Sequence, residues 1–431
     1  MDRRREPHPR WPLPDRVAVY GTFDEFEATR RESGQWVFWR DRVDLVLQGR
    51  YDEVMPLHVE LSPTYLCNFA CPWCSCRSAR EDWADEDVFS HPRATELTVM
   101  RDAKLDQVLG HLAAHRIGIM WVGGEPTMNP LLYPAALKAC QLGLKQCVFT
   151  NGSLFSQERA RALFDADLVF IRVSLNAVTP AVHQRHHDYD ARRPYARRVL
   201  ASLSTLAALR AERISGTMLG VSVVVDERNV ADLEPTVRFL CELCDRHGNG
   251  AVDYVIFRSA FPIYTAQIEM ADDTVSRFQE VLAVGSAARR ALAGCGIDVV
   301  VPDTVDEPKA DKRDDERLGC LSCGWFGEVT PNGDMVVCSD RYGNPDYFVG
   351  NVAAQSVDEI WAGAQRRRTL RMVADTACYS TYCPRNGRGY YLNSIFRQIE
   401  EFRAAGRIAD VERWIADLRQ VLPEPLHSFF L

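Results

Sequence analysis

Lysine is nearly missing from this chain: of 431 residues, only Lys104, Lys138, Lys145, Lys309 and Lys312 supply it. Arginine carries the rest of the basic charge, a bias that a GC-rich coding sequence explains better than a selected basic surface. Acids outnumber bases by 59 to 51, for a formal charge of −8, which argues against a dedicated nucleic-acid binder. No apolar run approaches the ~18 residues of a membrane-spanning helix, so no membrane partner is expected. Met1 to Arg5 leads into no apolar stretch and does not read as a secretory signal. No internal repeat or low-complexity tract is evident.

Cysteine, by contrast, is plentiful. Most of the fourteen fall into two bunches, which suits metal clusters in a reducing cytoplasm better than disulfides. Cys67, Cys71 and Cys74 stand in a C-x3-C-x2-C spacing, with Trp73 before the third. Iron–sulfur clusters are usually held by four thiolates, so three leave one iron with an open position. Structural zinc is the competing reading, with Cys76 as a fourth ligand. Zinc sites usually pair two knuckles, however, and no second knuckle follows closely. The second bunch holds Cys320, Cys323, Cys338, Cys378 and Cys383. Five cysteines compete there for about four thiolate positions, and a zinc ribbon is again the alternative.

At this length two or three domains are expected, and 46% hydrophobic with 26% charged residues describes a globular enzyme. Strand-like apolar runs at 57–61, 117–122, 146–150, 168–175, 217–225 and 251–257 alternate with amphipathic stretches at 102–115, 197–210 and 229–244. Such alternation predicts βαβ units and a parallel sheet. One helix over 273–292, a strand at 297–301, a helix near 357–373 and a helical tail over 390–422 packed back on the barrel complete the reading. Pro331 to Asp334 reads as a hairpin turn that brings Cys323 and Cys338 together.

The cysteine loop, together with Gly123-Gly124-Glu125-Pro126 after the second strand, resembles the radical S-adenosylmethionine (SAM) superfamily. The spacing of Cys323, Gly333 and Cys338 is similar to the start of the auxiliary-cluster domains called SPASM and twitch. The resemblance implies an α/β fold: a partial (β/α)6 barrel with a smaller C-terminal iron–sulfur domain of β-hairpin plus helices. The expected division is a leading element over 1–56, the barrel over 57–301, a charged linker over 302–317, the auxiliary domain over 318–390 and a tail over 391–431. Implied cofactors are a SAM-binding [4Fe-4S] cluster on Cys67, Cys71 and Cys74, one auxiliary [4Fe-4S] cluster, and SAM itself. In the family the open iron chelates the amino and carboxylate groups of SAM, and reductive cleavage yields a 5′-deoxyadenosyl radical.

By the same resemblance Gly123, Gly124, Glu125 and Pro126 hold the methionine end, the glycines admitting a close ligand. Ser174 and Asn176 meet the ribose, Val224 lies along the adenine, and Arg192 meets the carboxylate. Thr150-Asn-Gly152 is a frequent family companion, or equally a plain strand-end turn. Arg258 and Tyr264 are substrate candidates past the sixth strand, and Cys295 is a candidate hydrogen-donor thiol. Cys241 and Cys244 read as core, and His183, His186 and His187 as a solvated helix start. The favoured substrate is a small molecule, sugar or aminocyclitol-like and of antibiotic pathways, epimerised or dehydrogenated, with flavodoxin or ferredoxin as reductant. The alternatives are a peptide-modifying SPASM enzyme and a non-catalytic iron–sulfur or zinc protein.

Overall fold

The computed structural model describes residues 33–74, 100–212, 215–260, 271–300, 319–338, 345–352, 354–375, 388–422 and 424. The linker 302–317, Tyr264, Cys76, Cys378 and Cys383 lie outside them. Ten strands form one sheet in the order β10-β9-β8-β1-β2-β3-β4-β5-β6-β7. From β1 (His58–Leu61) the chain runs through β2 (Gly118–Trp121), β3 (Gln146–Thr150), β4 (Phe170–Ser174), β5 (Met218–Val225), β6 (Tyr254–Ser259) and β7 (Asp298–Val300). Each of these pairs parallel with the next.

Parity along the strands builds the two faces. Val59, Leu61, Ile119, Trp121, Val148 and Ile171 belong to the main core under the helices. The alternate positions Met120, Cys147, Phe170, Tyr254 and Ile256 make a second, smaller cluster on the inner face. Strands covered on both sides carry apolar residues at nearly every position, which is why they are legible in the sequence. Gly220 is a deliberate gap in that pattern. A Cβ there would lie 2.1 Å from Cζ of Tyr254, whose ring crosses the strand.

The crossover helices are α2 (Asp102–Ala114), α3 (Leu132–Gln141), α4 (Gln157–Asp165), α5 (Pro180–His187), α6 (Tyr195–Ala211) and α7 (Leu233–His247), preceded by α1 (Arg40–Leu47). The single helix expected over 273–292 is two, α8 (Asp272–Leu282) and α9 (Ala287–Gly294). Gly285 turns the chain between them at φ +78°, a left-handed conformation that ends helices.

The C-terminal domain is not a separate body hung on the barrel. Its strand β8 (Glu328–Val329) pairs parallel with β1, Glu60 opposite Glu328. The predicted hairpin turn joins β8 to β9 (Asp334–Val336), and β10 (Phe348–Asn351) closes the edge; both pairings are antiparallel. Helices α10 (Val357–Trp361) and α11 (Ala364–Asp375) replace the one helix expected over 357–373, interrupted at Gly363.

The tail does not pack on the barrel as expected. It forms α12 (Arg388–Ala404) and α13 (Ile408–Val421), broken at Gly406 with φ +70°. Leu392, Phe396, Ile399 and Ile415 join Trp36, Val43, Tyr51 and Trp325 in a core of their own. Trp36 meets the Phe396 ring edge-on at 5.3 Å and the Trp325 ring at 6.1 Å, a favoured aromatic geometry. Arg403 donates to the carbonyls of Val46 and Leu47, closing the C-terminus of α1. The barrel's outer surface is already covered by its own helices. The tail's apolar stripe therefore pairs with the leading segment, which has an equally uncovered one.

Candidate functional site

All strands from β1 to β6 end on the same edge, and the loops that follow them converge there. The cysteine loop leaves β1 and is tied down at its start. Ser62 Oγ and Tyr65 Oη both donate to Oε1 of Glu328, at 3.1 and 2.9 Å, so the auxiliary domain itself steadies the loop. Gly124 N–H donates to Thr64 O at 2.9 Å, and Glu125 N–H to Leu66 O at 2.8 Å. A Cβ on Gly123 would sit 2.4 Å from Thr64 O, and one on Gly124 2.3 Å from Leu66 O. The two glycines are thus needed because backbone packs on backbone. Their close neighbour in the structure is the backbone of the cysteine loop.

Two of the three sulfurs, those of Cys67 and Cys71, have polar groups facing them. Phe69 N–H donates to Cys67 Sγ at 3.4 Å, and Asn151 Nδ2 stands 3.9 Å from the same sulfur. Nδ1 of His187 lies 3.1 Å from Cys71 Sγ. Donors converging on sulfur are what thiolates bound to a cluster require, so the residues present fit the iron–sulfur group.

Glu125 is 1% exposed and has no reach to spare. Its Oε1 accepts from Thr127 N–H at 3.1 Å, from Thr127 Oγ1 and from Thr150 Oγ1 at 2.7 Å, while Oε2 accepts from Asn151 N–H at 2.6 Å. Burial raises its pKa and these donors oppose the rise. The carboxylate pins the turn after β2 to the turn after β3, which gives Thr150-Asn-Gly152 a definite job. Pro126 begins the short 3-10 turn beside it.

The three histidines are the main correction. A solvated helix start was expected, yet His183, His186 and His187 are 0%, 0% and 1% exposed. They sit on α5 directly behind the cysteine loop. Trp73 Nε1–H donates to His186 Nδ1 at 3.3 Å, which leaves the His186 proton on Nε2, facing Asp226 at 3.6 Å. His183 Nδ1 meets the Tyr189 hydroxyl at 3.0 Å. Spacings of three and four place the rings on one helical face, the signal that could have revealed a buried cluster.

Burial pushes His183 down to about 4 and His186 to about 3. Both folded values lie below the unfolded value near 6.5. Their contribution is complete above pH 6.5 and is lost as pH falls toward those values, because the unfolded chain takes up protons that the folded one refuses. Asp226, whose pKa burial raises, runs the opposite way. Each histidine is expected to remove about 2 kcal/mol by pH 5. Urea unfolding of the wild type at pH 7.5 and 5 should show that loss, and His183→Phe should show a smaller one.

In the auxiliary domain Cys320, Cys323 and Cys338 come together. Contact with Cys323 and Ser322 lowers Cys320 to about 7, while Cys320 and Cys338 together push Cys323 up. Arg366 is 1% exposed and donates through Nη2 to Val54 O at 2.6 Å and Gly324 O at 2.9 Å. Its Nη1 has no hydrogen-bond partner among the described residues. A buried cation with an orphan donor is costly, and anionic cluster sulfur beside it would relieve that cost. The site therefore fits an iron–sulfur group better than three protonated thiols.

The remaining candidates divide. Arg258, the penultimate residue of β6, is exposed, yet desolvation by the surrounding protein and the charge of Arg172 lower its pKa to about 10. Such a group stays cationic at neutral pH, which suits binding an anion better than accepting a proton. Arg172 is buried on the inner face, donates to Tyr254 Oη at 3.1 Å and lies 4.9 Å from the Phe149 ring centroid. Ser174 is half-buried at the end of β4. Asn176 is 1% exposed and engaged with Val224 N–H and His187. Arg192 is not brought in: its side chain is 89% exposed and grips Asp190. Cys295 follows α9 next to Cys241 and precedes β7, at the opposite sheet edge from the cysteine loop. Cys244 is buried in the core as read.

Comparison with known proteins supplies the context for this site. A family model for the radical SAM superfamily matches residues 61–240, and one for the SPASM iron–sulfur cluster-binding domain matches 320–385. The PqqA peptide cyclase of Gluconobacter oxydans is 28% identical over 71% of this chain and 76% of its own. The dTDP-4-amino-4,6-dideoxy-D-glucose ammonia-lyase of Streptomyces venezuelae is 26% identical over 57% of this chain and 50% of its own. Streptococcus suis SuiB, solved with its precursor peptide SuiA, shares the fold at a TM-score of 0.54 and 14% identity, covering 81% of this chain and 78% of that one. Three thiols on the loop at the C-terminal end of a parallel partial barrel, a second thiol group on an added hairpin and the two family models together place this chain in the radical SAM superfamily as an enzyme with a C-terminal SPASM domain.

Proposed function

We propose that this enzyme modifies a peptide, not the sugar or aminocyclitol favoured by the sequence reading. One observation carries this: the Gluconobacter oxydans PqqA peptide cyclase matches over 71% of this chain and 76% of its own length, whereas the sugar lyase matches over 57% and 50%. When bound, the loop cluster supplies reductive cleavage of SAM to a 5′-deoxyadenosyl radical that removes a hydrogen atom, and an auxiliary cluster supplies an electron acceptor.

The chain's own residues do the rest. Cys67, Cys71 and Cys74 would hold the first cluster, and Cys320, Cys323 and Cys338 would contribute to the second, with Cys378 and Cys383 as further candidates. Gly123, Gly124 and Glu125 keep the loop in register, Ser174 and Val224 flank the SAM side, and Arg258 binds an anionic group of the substrate.

The test gives the reduced holoenzyme SAM with either a peptide library or dTDP-amino sugars. A peptide lighter by two hydrogens, formed with 5′-deoxyadenosine, supports the reading. Turnover of the sugars alone would overturn it.

A further inference from the structure

We infer that His187 donates a hydrogen bond to the sulfur of Cys71, is held in that role by Asn176, and raises the reduction potential of the cluster on that loop. The inference rests on the three-cysteine loop being a cluster site.

The direction of the bond follows from Asn176. Its Oδ1 accepts from Val224 N–H at 2.8 Å, and a backbone N–H can only donate, so the orientation of the amide is settled. Its Nδ2 therefore faces His187 Nε2, at 3.5 Å. A ring nitrogen facing an N–H must accept, which leaves the ring proton on Nδ1. That nitrogen is 3.1 Å from Cys71 Sγ. Asn176 is itself clamped, since Asn229 Nδ2 donates to the carbonyls of both Asn176 and Val224 at 2.7 Å.

The ring cannot easily turn away. Its centroid lies 4.7 Å from that of Phe69 and 4.3 Å from that of His183. His187 O also accepts from Ala70 N–H at 3.0 Å, so helix and loop move together.

A donor on a ligating sulfur stabilises the electron-rich, reduced cluster more than the oxidised one, and so raises its potential. The same donor also preorganises the sulfur before metal arrives. His187 is a positioning residue, acting through Cys71.

The experiment reads the cluster itself. His187→Phe keeps an aromatic ring but no donor; His187→Asn keeps an N–H near the Nδ1 position. In a redox titration followed by electron paramagnetic resonance (EPR), the signal that Cys71→Ala lacks should have a more negative midpoint in His187→Phe, with His187→Asn restored toward wild type. An unchanged midpoint in a fully loaded His187→Phe would overturn the inference. Should that variant fail to fold, wild-type protein labelled with 15N-histidine decides the matter. Pulsed EPR should show coupling of an imidazole nitrogen to the reduced cluster, and absence of that coupling would sink the idea. If Cys71→Ala retains all the iron of the wild type, the cluster-site reading has failed, not the hydrogen bond.

Discussion

Replacing Cys71 with alanine should bring formation of 5′-deoxyadenosine down to background and lower iron from about eight to about four per chain, the content of one cubane cluster. Cys71 is the most enclosed of the three loop cysteines, 8% exposed, and its sulfur faces His187. No other described thiol lies on this loop beyond Cys67 and Cys74, so nothing replaces it. The contrasting variant is Cys323→Ala, in the other domain. It should also lose iron but keep SAM cleavage, because the sulfonium chemistry belongs to the first site alone. Iron counts paired with nucleoside assays on both proteins check the pair. Equal loss of nucleoside in the two variants would contradict the division of labour.

Gly124→Ala should cripple the same site without touching a ligand. The added carbon would lie 2.3 Å from Leu66 O and 2.5 Å from Tyr65 O. Both are backbone atoms, so no side chain can swing aside. Relief means pulling the cysteine loop off the turn after β2, which stretches the bonds from Gly124 and Glu125 to Thr64 and Leu66. A strain of roughly 2–4 kcal/mol is expected, and loading of the loop cluster under limiting iron should fall at least about tenfold. Gly110→Ala serves as the control. It sits exposed in α2 with nothing within 4 Å of the new carbon, and alanine is the better helix former by about 1 kcal/mol. Loading should be unchanged there and stability slightly higher.

Much of this architecture was open to reading because parallel strands buried on both faces leave unbroken apolar runs. β3 matches its expected bounds of 146–150, and β2, β4 and β5 differ from theirs by one or two residues at an end. Short local rules were harder to apply. Gly285 and Gly406 cut helices that hydrophobic periodicity alone runs together, because the pattern continues across a single left-handed residue. The tail's partner was invisible because an amphipathic stripe does not say which other stripe it meets.

At the site, the candidate thiols of the first loop could be recognised by spacing, since sulfurs three and four residues apart on one loop can converge on a single cluster. The support around them could not be recognised in that way. The bonds by which Glu125 clamps two turns together were not legible in its motif. The Gly-Gly pair also makes room for the cysteine loop, a long-range contact that no local pattern announces. His183, His186 and His187 looked wet, and they form the dry backing of Cys71 and Trp73.

Composition and local patterning alone determined that this chain folds as a parallel α/β enzyme with two cysteine-rich regions, because strand and helix periodicity and the C-x3-C-x2-C spacing are properties of short stretches of chain. Only the packed molecule decided which groups face the sulfurs and that β8 of the second domain steadies the first domain's loop. It also decided that Arg192 and Cys295 stand apart from the rest. Those outcomes depend on contacts between residues far apart in the chain, where burial and hydrogen-bond partners are set by the fold as a whole.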